Sequence, residues 1–94
     1  MSTQLILRGD FDVWRRDELR ATLEAVDVSG DVTIDMTGVT MLDAGSAAQL
    51  IALKHRMRAR NPRSRLILHN APRIVKRVLD LCGASELFVY TANR

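Results

Sequence analysis

The chain has 94 residues, 47% of them hydrophobic and 27% charged, which predicts one folded domain over 1–94 and argues against disorder. A single cysteine excludes an internal disulfide framework, and because the chain has only two histidines in addition, no zinc cluster is plausible. The sequence contains no membrane-length apolar run and no basic segment of secretory type at its start. We therefore expect a cytoplasmic protein without a cofactor, a metal or a membrane-inserted segment.

The first strand and helix are indicated by a change in apolar spacing. Leu5–Leu7 has extended character, and we predict a strand that ends near Asp12. The segment Val13–Val26 follows with apolar residues at helical spacing, so we predict a helix there. Its large apolar positions are Trp14, Leu19, Leu23 and Val26.

The middle of the chain predicts a second strand and the longest helix. Val32–Met36 alternates and is rich in β-branched residues, and Thr37–Gly38 is expected to end that strand. Val39–Leu42 is a further apolar stretch. Ala47–Ala59 has a helical apolar stripe, and Asn61-Pro62 is expected to stop the helix.

The last third predicts a strand, a helix and a final strand. Leu66–Leu68 is a short buried-strand run, and Ile74–Cys82 is apolar at helical spacing, with Cys82 on the buried stripe. Gly83 suits the residue after a helix, and Leu87–Tyr90 is extended in character. The order predicts an α/β domain with a mixed or mainly parallel sheet of about four strands and about three helices.

Charge is distributed unevenly along the chain, whose net charge is +3. Residues 1–47 carry four basic and nine acidic side chains, whereas residues 48–94 carry ten and two. The basic side chains concentrate in one run, which comprises Lys54, His55, Arg56, Arg58, Arg60, Arg63 and Arg65. No aromatic residue interrupts this run, so a solvated helix face and an acidic protein partner are favoured over direct nucleic-acid binding. A small basic nucleic-acid-binding protein is kept as the most distant alternative.

Four segments, in their order along the chain, carry a resemblance to a known family. They are Gly9–Asp12, Val32–Thr37, Met41–Ser46 and Val78–Gly83. Together they resemble the STAS domain of bacterial anti-sigma factor antagonists, over nearly the whole chain. The resemblance implies a non-enzymatic protein that regulates transcription by partner switching. Its expected partner is an anti-sigma factor with a kinase-type ATP-binding fold.

The switch motif departs from the family pattern. The family has Asp-Ser-Ser/Thr-Gly there, and its second hydroxyl residue is phosphorylated. In this chain Asp43 matches, but Ala44 and Gly45 take the two hydroxyl positions and Ser46 takes the glycine position. Three hypotheses follow. In the first, Ser46 is a displaced phosphoacceptor; the alternative for this residue is that it only caps the helix. In the second, the protein is a constitutive antagonist, and in the third, the domain is an accessory subunit of a transporter or stress-signalling complex.

The partner surface is expected at the start of the second long helix and at the loop that ends the first strand. The resemblance assigns no catalytic and no metal-binding residues. The candidate partner-binding residues are Asp10, Asp12, Asp43, Ala44, Gly45, Ser46, Ala47 and Gln49. Family members usually have one more N-terminal strand, so we also expect a free strand edge through which a homodimer can form.

Overall fold

The computed structural model describes residues 2–93, so the end residues Met1 and Arg94 of the predicted domain lie outside the described part. Four strands alternate with three helices. In chain order they are β1 (Thr3–Phe11), α1 (Arg16–Glu24), β2 (Val32–Leu42), α2 (Ala44–Arg60), β3 (Leu66–His69), α3 (Arg73–Leu81) and β4 (Val89–Thr91). Short 3-10 turns at Val13–Arg15 and Ser85–Leu87 precede α1 and β4.

The sheet follows the order of the chain, β1-β2-β3-β4, and each neighbouring pair of strands is parallel. The predicted α/β architecture is confirmed, but the described sheet is parallel throughout and not mixed. Right-handed crossovers between successive parallel strands place their helices on the same face of the sheet. Accordingly, α2 packs between α1 and α3.

The core lies between this helical layer and one face of the sheet. Alternate residues of the strands point into it, as Ile34 and Leu68 do, whereas Ile6 on the opposite face is 60% exposed. Leu19 and Leu23 of the predicted first helical stripe are buried as expected. Burial of these large aliphatic side chains is the main stabilising contribution to the fold.

Strand β2 continues through the predicted break at Thr37–Gly38. It does so because bulges in β2 accommodate residues that have no partner on β1. Ile6 pairs with Asp35 and Arg8 with Gly38, so two steps along β1 are matched by three steps along β2. Gly38 is suited to this bulge, since a Cβ there would come within 3.1 Å of the Arg8 side chain.

The ends of two helices differ from the prediction. The segment predicted as the first turn of α1 is the 3-10 turn Val13–Arg15, and Trp14 is 90% exposed. Cys82, predicted to be buried, is exposed just beyond the end of α3. Gly83 follows it with φ +69°, which confirms its predicted place at the residue after the helix.

Strand β1 lies at the edge of the described sheet. Part of its outer edge is covered, because Arg15 Nη1 donates to the backbone carbonyls of Arg8 (2.6 Å) and Asp10 (3.4 Å). A side chain that occupies edge carbonyls in this way opposes pairing with another strand. The homodimer remains a prediction.

Candidate functional site

The candidate site forms where the end of β1 meets the start of α2. The two segments are joined by a backbone hydrogen bond, since the Asp43 N–H donates to the Phe11 carbonyl at 3.0 Å. The parallel register pairs Phe11 with Leu42, so both strands deliver their following residues to the same edge of the sheet. The loop around Asp10–Asp12 and the motif around Asp43 are therefore neighbours, as the resemblance implied.

Asp43 is the N-cap of α2. Its Oδ1 accepts the Ser46 N–H at 2.8 Å, and its Oδ2 accepts from Arg16 Nη2 at 3.1 Å. The Ser46 N–H is the main cause of a lowered pKa for this carboxyl, and the guanidinium of Arg16 adds to it. The prediction that α2 begins at Ala47 with Ser46 as its cap is therefore wrong: the helix begins at Ala44, because Asp43 supplies the cap.

Replacing Asp43 by Ala is expected to lower the free energy of unfolding by about 0.5–2 kcal/mol at neutral pH, because the N-cap acceptor is lost. Asp43→Asn keeps an acceptor and removes only the charge. The pKa of the Asp43 carboxyl in the folded protein lies below its ordinary value of 3.8. The carboxylate therefore stabilises the fold above that value, and this contribution is lost as the pH falls through the folded-state pKa.

Urea denaturation of the wild type and the Asp43→Asn variant at about pH 7 and about pH 2 tests this linkage. The wild type should be more stable at neutral pH, and the difference should shrink in acid. A difference of equal size at both pH values would show that the charge of Asp43 is not its source.

Ser46 is the third residue of α2 and is 1% exposed. Its hydroxyl donates to the Phe11 carbonyl at 3.2 Å, so it points into the domain and not towards a partner. Ala47 beside it is fully buried in the core. Two of the eight predicted partner-binding residues thus offer no surface for contact, because the helix starts earlier than predicted and turns them inward.

Gly45 occupies the position at which the resemblance implied a phosphoacceptor, and the side chain of Arg16 covers it. A Cβ built at Gly45 would overlap the guanidinium of Arg16. Since that guanidinium is the mobile end of a long side chain, a larger residue at position 45 is accommodated by moving Arg16 away from Asp43. In the native chain the position carries no hydroxyl and is shielded by a paired cation.

The expected loop at Asp10–Asp12 is partly strand, since Asp10 lies within β1 and Asp12 follows its last residue; both aspartates have structural hydrogen bonds. Asp12 Oδ1 accepts the Trp14 N–H at 3.0 Å and so caps the 3-10 turn. Asp10 accepts from the Thr40 hydroxyl across the β1–β2 pair. Both remain at the surface, next to the start of α2, with at least part of their side chains accessible.

Gln49 lies one turn further along α2 and joins it to α1. Its Nε2 donates to the Arg16 carbonyl at 3.1 Å, and its side chain is half-buried. Ala44 is exposed. We call the members of the predicted set that are at least partly exposed the docking surface; they are Asp10, Asp12, Asp43, Ala44, Gly45 and Gln49. Arg16 and Trp14 adjoin this surface but were not among the predicted site residues. For Trp14 the sequence does carry a signal, because Asp12, two residues earlier, is of a type that often caps a helical turn.

The basic run is partly used inside the domain. Lys54 is 9% exposed, and its Nζ donates to the Ser64 carbonyl at 2.9 Å. Arg56 Nη2 donates to the Leu23 carbonyl at 2.7 Å, and Arg65 pairs with Asp31 at 2.9 Å. Three of the seven basic side chains thus have structural partners, which leaves fewer for phosphate contacts.

Two further properties of residues 2–93 concern other types of site. No three His, Cys, Asp or Glu side chains gather there in a way that could hold a metal ion. None of the helices in that range is both long enough and apolar enough to cross a bilayer.

Comparison with known proteins identifies the family. A search of curated proteins finds no match to the chain. The family model described as "Mlab, STAS domain" matches residues 1–90. Four strands and three helices in the order described above are consistent with that fold. The chain therefore belongs to the Mlab-type STAS domain family.

Proposed function

We propose that this STAS domain is a non-enzymatic docking subunit that binds a protein partner through the docking surface, and that no phosphate on this surface controls binding. One observation carries the proposal: the expected acceptor position is a glycine covered by Arg16, and the next hydroxyl along the chain, that of Ser46, is buried. A kinase needs an exposed hydroxyl, which neither position supplies.

Phosphorylation of Ser46 would also require the start of α2 to open. The hydroxyl is bonded to Phe11, and the backbone N–H of the same residue is bonded to Asp43. A dianionic phosphate on Ser46 would face the carbonyl oxygen of Phe11 and the carboxylate of Asp43. Like charge and lost solvation both oppose it, which argues against the displaced phosphoacceptor.

Two partner classes fit a constitutive docking subunit. The first is a transporter or stress-signalling complex, in which the domain is an accessory subunit and needs only a docking face. We favour this class because the family's phosphoacceptor is absent from the docking surface. The second is an anti-sigma factor with a kinase-type ATP-binding fold, which makes the protein a constitutive antagonist in transcription regulation. Its support is that Asp43 and the Asp10–Asp12 loop lie side by side, as in that family's switch region.

The test is to incubate the purified protein and ATP with each purified anti-sigma kinase of its organism, and to measure intact mass and complex formation. We expect no mass gain in the wild type. Gly45→Ser restores a hydroxyl at the family position, so a cognate kinase should add one phosphate to that variant. A phosphate gained by the wild type and lost in Ser46→Ala would contradict the proposal.

Size-exclusion chromatography with the same kinases, and separately with purified transporter ATPases, distinguishes the two partner classes. A stable complex with a transporter ATPase supports the accessory role, and one with a kinase supports the antagonist role. Ala44→Arg places a bulky charge at the exposed start of α2 and should abolish either complex. Arg58→Ala, in the basic run on α2, is the matched control and should leave the complex intact.

A further inference from the structure

We infer that Trp14 anchors the domain to its protein partner by inserting its indole ring into an apolar pocket of that partner. The inference rests on the proposed docking function and names the residue that dominates it. Trp14 is 90% exposed, and its neighbour Val13 is 57% exposed. Nearly complete exposure of an indole is unfavourable in water, and tryptophan is enriched among the residues that dominate protein interfaces.

The backbone that carries Trp14 is held in place before any partner binds. Asp12 Oδ1 accepts the Trp14 N–H at 3.0 Å, and the Asp12 carbonyl accepts the Arg15 N–H at 3.1 Å. Phe11, immediately before this turn, is 1% exposed and fixes it to the core. A preorganised anchor loses little backbone entropy on binding, so more of its burial contributes to affinity.

Trp14 is also continuous with the docking surface. Its backbone N–H is bonded to Asp12, which belongs to that surface, and two residues further along the chain Arg16 is bonded to Asp43 at 3.1 Å. An apolar anchor bordered by polar groups matches the usual arrangement of a protein interface, in which a buried centre is surrounded by a polar rim.

The charges around Trp14 indicate the chemistry of the occupant. Each neighbouring arginine faces a carboxylate of the same domain. The pairs are Arg15 with Glu18 (2.5 Å), Arg16 with Asp43 (3.1 Å) and Arg20 with Asp17 (3.7 Å). With Asp12 beside it, this patch carries no excess positive charge, so it offers little attraction to an anionic lipid surface or an acidic peptide. Its apolar centre and polar rim fit an apolar pocket of a folded protein.

The experiment uses Trp14 as its own reporter, because it is the only tryptophan of the chain. Binding is followed by titration with each purified transporter ATPase and anti-sigma kinase of the organism, with those proteins' tryptophans replaced by phenylalanine. Formation of the complex should shift the Trp14 emission to shorter wavelength and protect it from acrylamide quenching. Trp14→Ala, measured by calorimetry, should weaken binding about 30-fold or more, and Trp14→Phe by less.

Leu81→Ala is the matched control, since Leu81 is 82% exposed on α3 and has no place in the docking surface. It should bind like the wild type. If Trp14→Ala binds as tightly as the wild type, the anchor is disproved while the docking function stands. If the wild type binds none of these proteins, both proposals fail. A shift that appears on concentrating the protein alone, or on adding anionic lipid vesicles, would overturn the inference in favour of a second copy or a membrane.

Discussion

Replacing Ser46 by Asp is expected to lower the free energy of unfolding by about 3–5 kcal/mol at neutral pH, the usual cost of a buried charge without a partner. Ser46 is 1% exposed. The new carboxylate would replace a hydroxyl that donates to the Phe11 carbonyl, and it would lie beside Asp43. The bond from the native hydroxyl to the Phe11 carbonyl would then become a contact between two acceptors.

The position at the start of α2 only partly offsets this cost. An anion in the first turn of a helix gains about 0.3–1 kcal/mol from the helix dipole. Arg16 is near, but it is already paired with Asp43. The buried charge therefore dominates, and the same balance applies to a phosphate on Ser46.

Asn is isosteric with Asp, so Ser46→Asn is the matched control for volume. Ser46→Ala should cost only about 0.5–1.5 kcal/mol, because the Phe11 carbonyl still accepts the Asp43 N–H. Burial raises the pKa of the introduced carboxyl, so its penalty exists above that pKa and disappears as the pH falls below it. Urea denaturation should thus show the Asp and Asn variants converging in acid. Equal stability of the two at neutral pH would mean that solvent reaches this position, and the phosphoacceptor hypothesis would regain support.

Most of the fold follows from apolar spacing in the sequence. Leu19 and Leu23, four residues apart, and Ile34, within an alternating strand, all lie in the core as predicted. The errors occur where pairing between strands overrides local signals. Thr37–Gly38 reads locally as a strand end, but β1 pairs with β2 on both sides of it, and the bulge absorbs the extra residue.

The sequence predicts that the end of β1 and the start of α2 form one candidate surface, and they are neighbours in the structure, but the structural roles of their residues were not predictable from the sequence. Asp43 and Ser46 are both good N-cap residues, and only the backbone geometry shows which of them precedes the helix. Arg16 reaches Gly45 from 29 positions away in sequence, a contact that no local pattern encodes. Trp14 was placed on a helical stripe because a one-turn 3-10 segment has almost the same spacing as an α-helix.

Phe11 and Trp14 lie three residues apart, but truncating Phe11 is expected to destabilise the fold strongly, whereas truncating Trp14 should barely change its stability. Phe11→Ala should lower the free energy of unfolding by about 3–5 kcal/mol, because a buried ring is replaced by a cavity. Phe11 is 1% exposed, and the guanidinium of Arg15 lies 4.1 Å from the centre of its ring. Its backbone also joins β1 to α2 through Asp43, so a loosened Phe11 should disturb the docking surface as well.

Trp14→Ala should change the free energy of unfolding by no more than about 0.5 kcal/mol, because its ring contributes almost nothing to the core. Urea denaturation of both variants, followed by circular dichroism so that no tryptophan signal is needed, measures the difference. Phe11→Leu fills part of the cavity and should fall between the wild type and Phe11→Ala. A large loss of stability in Trp14→Ala would mean that the indole packs against the domain, and it would remove the basis for an anchor held ready for a partner. A small loss would show that the indole adds little to the stability of the domain, whereas Phe11 stabilises the core, and it would leave the Trp14 ring free to contact a partner.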